Sequence, residues 1–487
     1  MGRKLLLSKW KLVGGLALSG LALTDRVLLP AARWYLRRRA NEVIADVNER
    51  LQLKIPPFGI TRRQVLIDRL LYDPEILESA EANAEEHGVP LAVVMGQVER
   101  YAREIVPAFN PYVYFKIGTR LSRILARRLY NVRVGFANED ALEKVEAQPS
   151  VVFVANHRSN MDYVLLAYLA SRRTALSYAA GEWARIWPIE QLVKAMGAFF
   201  VRRGSENPLY RRVLERWVQL ATEAGMVQVV FPEGGLSRDG RLREPKIGLL
   251  DYMLRRFDPV GVRDLVFIPV GLNYDRVLED RSLLLSREAV QRSRLDAVVN
   301  AGGFVRHNLR LAVGGAWQRF GQAVVNFGIP ISMREYTRVH GIDFRDMERP
   351  ERIERVKTLA EELMRAVGSV VPVVPVPLVA HLFAEDPDEA LSGEELKSRG
   401  RTLMADFEGF GVHVYIPHEE RDAAIESGLN RLILRHLVRE EHGLYRAVPE
   451  ELALLRYYAN SIVQLTQIGP EDETFSGKEP ATAPADG

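Results

Sequence analysis

The sequence predicts an α/β protein, a central mixed β-sheet flanked by helices, with helical regions on its N- and C-terminal sides. Three observations lead there. Across residues 131–335, short apolar runs rich in β-branched residues alternate with stretches of helical periodicity, the pattern of a sheet covered by crossover helices. Residues 40–130 place apolar side chains three and four apart, a helical period broken at Pro56-Pro57 and at Gly88-Val89-Pro90. Residues 336–468 show the same period in four segments, 349–367, 396–407, 425–438 and 450–465.

Composition agrees with a folded chain and narrows its chemistry. Over 487 residues the hydrophobic content is 47% and the charged content 26%, which argues against both global disorder and a polytopic membrane protein. The formal charge is only +3, but Arg33, Arg37, Arg38 and Arg39 gather near the N-terminus, a basic patch suited to anionic lipid or nucleic acid. There is no cysteine, which excludes disulfides, thiol catalysis and Cys-ligated zinc and fits a reducing compartment.

In chain order, residues 12–23 form an apolar run between Lys9, Lys11 and Arg26. As a helix it would span roughly 18 Å, short of a hydrocarbon core of about 30 Å, so residues 1–39 read as a membrane-associating segment lying at the interface. An ordinary packed helix and a signal peptide are the alternatives; the latter leaves an apolar region of about five residues where roughly 7–15 are needed. The opening Met1-Gly2-Arg3-Lys4-Leu5-Leu6 lacks the hydroxyl residue that myristoylation requires. Strands are expected at 132–134, 151–155, 198–201, 227–231, 265–270 and 323–327, with a helix over 209–224 between two of them. The stretch 370–377 carries three prolines, too many for an interior strand, and reads as an extended segment crossing a surface. The tail 469–487 is acidic and rich in Pro, Gly and Thr, and is expected to be disordered.

Chemistry concentrates where strands end. The strand 151–155 runs into Asn156-His157-Arg158-Ser159-Asn160-Met161-Asp162, in which Ser159 and Asp162 form a capping box for the helix that follows. Five residues separate His157 from Asp162, so the chain can fold the carboxylate back onto the imidazole. That fixes the tautomer and leaves the other ring nitrogen as a base. Taken alone the pair reads first as a capped helix after a turn histidine, and it is the neighbouring strand ends that favour the base and its orienter. Downstream, Arg202 and Arg203 leave the next strand beside Gly204, and Glu233, Gly234, Ser237 and Arg238 follow another, with Lys246 close behind. Paired guanidiniums and a glycine-rich loop suit an oxyanion, although either could be a solvated turn. Together the three strand ends suggest transfer to the hydroxyl of a phosphorylated small molecule.

These stretches resemble the membrane-bound glycerol-3-phosphate acyltransferases of bacteria, within the wider glycerolipid acyltransferase superfamily. His-Arg-Ser-x-x-Asp at 157–162 is similar to the family's first block, the His-x4-Asp motif, and Gly-Ala-Phe-Phe-Val-Arg-Arg at 197–203 to its second. Glu-Gly-Gly-Leu-Ser-Arg at 233–238 resembles the third and Phe-Ile-Pro-Val at 267–270 the fourth, in the same order and spacing. Lesser similarities extend the resemblance from about residue 107 to about 465. One departure is that the family's Arg in the third block is Leu236 here.

The resemblance implies acyl transfer from acyl-CoA or acyl carrier protein to the sn-1 hydroxyl of glycerol 3-phosphate, on the cytoplasmic face of the cell membrane. It implies His157 as base, Asp162 as its orienter, and Arg202, Arg203, Glu233, Gly234, Ser237, Arg238 and Lys246 around the acceptor. No cofactor, metal or nucleic acid is implied, while anionic membrane lipids are expected as partners. Rival readings are the same chemistry on dihydroxyacetone phosphate, a lysophospholipid or another polar acceptor, or a silent lipid-binding protein. Nucleotide-binding glycine motifs and a Gly-x-Ser-x-Gly elbow are absent, and His413 and His418 lack metal-ligand spacing.

Overall fold

Side chains along one strand show how the sheet is buried: Val152 and Val154 join the apolar cluster on one face, while Val151 and Ala155 join the cluster on the other. Alternation with both faces apolar requires cover on both sides. In a computed structural model of the chain, which describes residues 61–136, 149–170, 175–180, 193–202, 204–284 and 320–467 apart from 413 and 415, helices supply that cover. The membrane-associating segment 1–39, the first part of the helical region 40–130 and the tail from 469 lie outside the described residues.

The chain begins with α1 (Arg63–Leu71), α2 (Pro74–His87), α3 (Leu91–Ile105) and, after a π-helical turn at Val113–Gly118, α4 (Thr119–Leu129). Then β1 (Asn131–Phe136), β2 (Ser150–Ala155), α5 (Met161–Ala170), β3 (Ser177–Ala180) and β4 (Ala198–Phe200) follow. Next come α6 (Pro208–Glu223), β5 (Gln228–Val230), α7 (Gly248–Leu254), β6 (Leu265–Tyr274) and α8 (Asp280–Leu284). The sheet ends with β7 (Gln322–Phe327) and β8 (Ile331–Ser332). Beyond it lie α9 (Met333–His340), α10 (Arg349–Ser369), α11 (Pro375–Glu385), β9 (Leu391–Ser392) and α12 (Gly393–Gly409). The last elements are α13 (Arg421–Leu434), β10 (Val438–Glu441), β11 (Leu444–Ala447) and α14 (Leu452–Ala459).

The main sheet has the order β1-β7-β6-β2-β5-β3-β4, with β8 also pairing β6. From β6 to β4 the strands are parallel; β7 and β8 run antiparallel to β6, and β1 follows β7. The mixed sheet flanked by helices is the architecture expected from the sequence. Its strands are those expected plus β3 and β8, while β6 extends four residues beyond 270 to Tyr274.

Two expectations are corrected. The Pro-rich stretch at 370–377 does not cross a surface: Val371, Val373, Val374 and Val376 are buried, and Pro375 and Pro377 stand in the first turn of α11. A proline there loses nothing, because the first-turn N–H groups have no intrahelical partner. The region 336–468 holds a second, three-stranded sheet, β10-β11-β9, beside its helices, with Val438 in β10 instead of the preceding helix, and the helix expected over 450–465 is broken after Ala459.

Nor is the boundary near 335 a break in the core. Buried residues of α11, α13 and α14 share one cluster with the sheet, and those of α1, α2, α3, α6, α7 and α10 share the other. At about 2 kcal/mol for each fully buried Val, Leu or Ile side chain, the sheet draws its stability from both terminal regions.

Candidate active site

The turn after β2 is held from several sides at once. The Asn156 amide donates to the Leu272 carbonyl at 2.9 Å and accepts from the Leu272 N–H at 2.7 Å, which pins the end of β2 to β6. The His157 N–H donates to Glu233 Oε1 at 2.8 Å, and the His157 carbonyl accepts from the Ser237 N–H at 2.9 Å. Thus the loop after β5 grips the backbone of His157 on both its donor and its acceptor.

The ring is fixed as tightly. His157 Nδ1 lies 2.8 Å from Asp162 Oδ2, with His157 only 2% exposed and Asp162 fully buried. Phe231 stacks on the imidazole at 4.3 Å, and Tyr163 meets it edge-on at 5.3 Å. Asp162 Oδ2 also accepts from the backbone N–H groups of Arg158 and Ser159, and Oδ1 accepts from the Tyr274 hydroxyl at 2.5 Å. One arm of the expected capping box is therefore made, from Ser159 N–H to Asp162. The Ser159 hydroxyl accepts instead from Met161 N–H.

The consequence is chemical. Every partner of Asp162 is a donor, as suits a carboxylate, so the His157 proton belongs on Nδ1 and Nε2 is left as an acceptor. Nε2 stands 3.5 Å from the Tyr163 hydroxyl, which donates to the Ala179 carbonyl. Burial, and then the Asp162 charge, holds the Tyr274 phenol well above its usual range, so it stays a donor.

His157 opens onto a cavity of about 300 Å³ with a divided lining. Val201, Leu214 and Leu249 give it apolar wall, whereas Arg202, Arg211 and Lys246 bring cations. Gly234 has φ +65°, and a Cβ there would meet Lys246 Cδ at 2.6 Å. The missing side chain is what admits the Lys246 stem.

The expected acceptor residues scatter. Glu233 is buried, and its burial pushes the carboxyl up to about 7 against the bond from the His157 N–H, so it braces the His157 turn from behind. Ser237 turns inward, accepting from Gly240 N–H and donating to the Arg241 carbonyl. Arg238 is exposed, and neither it nor Leu236 lines this cavity. Arg202 reaches the cavity with its guanidinium clasped by Glu104 at 3.0 and 2.6 Å. Arg203 lies outside the described residues.

Several participants were not singled out from sequence. Asn156 and Arg158 lie inside the stretch that flags His157 and Tyr163 directly follows it, so all three were legible by proximity. Tyr274, Phe231 and Arg211 had no local signal. The C-terminal region adds Tyr457: its ring lies 4.8 Å from the Arg158 guanidinium, which donates to the Gly240 carbonyl. Gly240, at φ +90°, packs so close to the Tyr457 carbonyl that a Cβ would fall 1.9 Å from it. Among the described residues no group of three His, Asp or Glu is placed to hold a metal ion.

Comparison with known proteins agrees with this architecture. Residues 137–273 match the acyltransferase family model, and residues 310–467 match the glycerol-3-phosphate acyltransferase C-terminal region. Glycerol-3-phosphate acyltransferases of Pseudomonas fluorescens and Pseudomonas putida are 31% and 30% identical over 83% of this chain, covering 48% and 49% of their own lengths. That of Ectopseudomonas mendocina is 28% identical over the same share. The chain thus spans about half the length of the curated relatives it matches. A solved 1-acyl-sn-glycerophosphate (LPA) acyltransferase, PlsC, from Thermotoga maritima is similar over 52% of this chain and 78% of that one, at 17% identity and TM-score 0.28, too loose a superposition to support any inference.

Fold and site define an acyltransferase domain built on a buried His-x4-Asp pair. The chain belongs to the glycerol-3-phosphate acyltransferase family, in which that domain is joined to the family's own C-terminal region.

Proposed function

We propose that the protein transfers a fatty acyl group from acyl-CoA or acyl carrier protein to the sn-1 hydroxyl of glycerol 3-phosphate, giving a lysophosphatidic acid. The observation that carries this is a buried His157–Asp162 pair whose histidine lines a cavity that offers both apolar side chains and three cations. His157 Nε2 takes the proton of the acceptor hydroxyl, and the oxygen attacks the thioester carbonyl. A C–O bond forms and the carbonyl becomes a tetrahedral oxyanion; the C–S bond then breaks, and the thiolate leaves with the proton returned by His157. No acyl-enzyme is needed, which suits a chain without cysteine. Asp162 offsets the charge on the imidazolium between the two proton transfers, held in place by Tyr274.

Lys246 and Arg211 are the cations proposed to meet the acceptor phosphate, with Arg202 beside them. Leu236 therefore costs this cavity no cation. The steps call on the thioester and side chains alone, without a metal or organic cofactor. A fatty thioester and a lysophosphatidate both partition into bilayers, so the site is proposed to work at the cytoplasmic face of a membrane. No helix among the described residues is long and apolar enough to cross one.

The direct test offers the purified protein palmitoyl-CoA with glycerol 3-phosphate, dihydroxyacetone phosphate or lysophosphatidate and follows thiol release. Release that depends on glycerol 3-phosphate is expected. Release that ignores the acceptor, or that prefers another acceptor, would overturn the assignment.

A further inference from the structure

Helix α4 is packed inside out. Thr119, Ser122, Ala126 and Leu129 make up its buried face, three of them small and two hydroxylated. Its large aliphatics point the other way: Leu121 is 48% exposed, Ile124 57% and Leu125 39%, with Ile117 at 46% in the turn before. Single exposed apolar residues are ordinary on a protein surface, but a stripe one helical turn apart is not. Beside that stripe the sequence places Lys116, Arg120, Arg123 and Arg127, all exposed, and no acidic residue occurs from Val113 to Leu129.

We infer that α4 and the π-helical turn before it form a docking face for an anionic bilayer, with Ile117, Leu121, Ile124 and Leu125 entering the interface and the basic residues meeting lipid phosphates. An amphipathic helix of this kind gains from burying its apolar stripe in the headgroup boundary while its cations stay with the anionic heads. The charge pattern selects this occupant: a protein partner would need an acidic rim around an apolar groove, whereas an anionic membrane presents both properties everywhere. Next to the stripe, Arg127 and Arg133 border a cavity of about 440 Å³ with Tyr130 and Tyr168, open enough for a headgroup; Arg133 also lies 3.8 Å from Glu420.

The placement serves the active site. Tyr130, the residue after α4, packs its ring at a tilt against that of Tyr274 at 5.5 Å, and the Tyr274 hydroxyl holds Asp162. Helix α4 also packs against α5, which starts at the catalytic turn. A bilayer under α4 would thus lie beside the helix that leads out of the His157 turn. The inference rests on the acyl-transfer reading for its purpose, but its test does not.

The chain has no cysteine, so Ile124→Cys and Val262→Cys each provide a unique labelling site. Val262 is 99% exposed, just before β6 at the opposite end of the sheet. The full chain, labelled with an environment-sensitive fluorophore, is mixed with phosphatidylglycerol–phosphatidylethanolamine vesicles that carry a nitroxide lipid quencher. The Ile124 probe should be quenched about fivefold more than the Val262 probe, and Arg120→Glu with Arg127→Glu should remove most of that difference. Equal quenching at both positions would overturn the inference even if the protein binds vesicles through another segment. So would equal quenching by neutral phosphatidylcholine vesicles, or protection of the Ile124 probe from aqueous iodide without vesicles, which would mark a face covered by protein. Thiol release from a soluble short-chain acyl-CoA, measured on the same samples, should not change with either labelled variant. Its absence from the unmodified protein would count against the acyl-transfer reading and leave the docking face standing.

Discussion

The turn at 157–162 and the loop at 233–241 are the two most conspicuous stretches of the sequence, and they are built on opposite plans. In the first, the residues proposed to carry the chemistry lie five apart and meet through local folding: His157 and Asp162 touch because a helix starts between them. In the second, the residues that look most like ligands are used up by the fold. Ser237 closes its own loop, Arg238 points to solvent, and Glu233 holds the His157 backbone. The cations lining the cavity come instead from Lys246, after the loop, and Arg211, on a helix. A catalytic pair can be local; an anion site assembled at a sheet edge is set by which elements the topology brings there.

Mutations can break that contrast. His157→Ala should lower turnover by about 10²–10⁴, the usual worth of a general base, with the thermal midpoint little changed. Turnover within a few-fold of the parent would end the local-pair account. Next in size, Lys246→Ala should raise KM for the phosphorylated acceptor by about tenfold or more, as expected for a lost hydrogen bond between charged groups, while Arg238→Ala should change it less than about twofold. Reversal of that order in steady-state kinetics would return the anion site to the loop.

Tyr274→Phe removes a donor from Asp162 without altering packing. It should lower kcat several-fold at unchanged KM and shift the pH profile of kcat, because the carboxylate that orients the imidazole loses a partner, a net effect of about 1–2 kcal/mol. An unchanged pH profile would make Tyr274 a packing residue only.

The smallest effect concerns Glu233, whose carboxyl is pushed up to about 7 by burial from an ordinary 4.5. Between those values the folded protein holds more protons than the unfolded chain, so this group's contribution to stability is present below about 4.5 and is lost as pH rises through about 7. Glu233→Gln should flatten that part of the decline when denaturant midpoints are compared from pH 5 to 8. A slope identical to the parent's would show that Glu233 titrates normally.

How far each region was legible follows from the range of the interactions involved. The strands at 151–155 and 227–231 appeared at nearly their true places because a β-branched run between turn residues is a local pattern, and 198–201 did so through its paired phenylalanines between a glycine and the Arg pair. Strand β3 was missed for lack of such a run: Ser177-Tyr178-Ala179-Ala180 has no β-branched residue and is a strand because β4 and β5 flank it. The Pro-rich stretch misled because proline argues against a strand without saying whether it starts a helix, and only the packed position of α11 decides that.

The sequence by itself determined the α/β class, the chain order of the main strands and the His157–Asp162 pair, all of which depend on spacing within a few residues. Tertiary structure alone decided that β6 brings Tyr274 to Asp162, that α6 brings Arg211 to the cavity, and that the C-terminal region locks Gly240 against Tyr457. These contacts join residues tens to hundreds of positions apart. Side-chain periodicity encodes which face of an element is buried, but what it meets there is fixed only when the sheet order is complete.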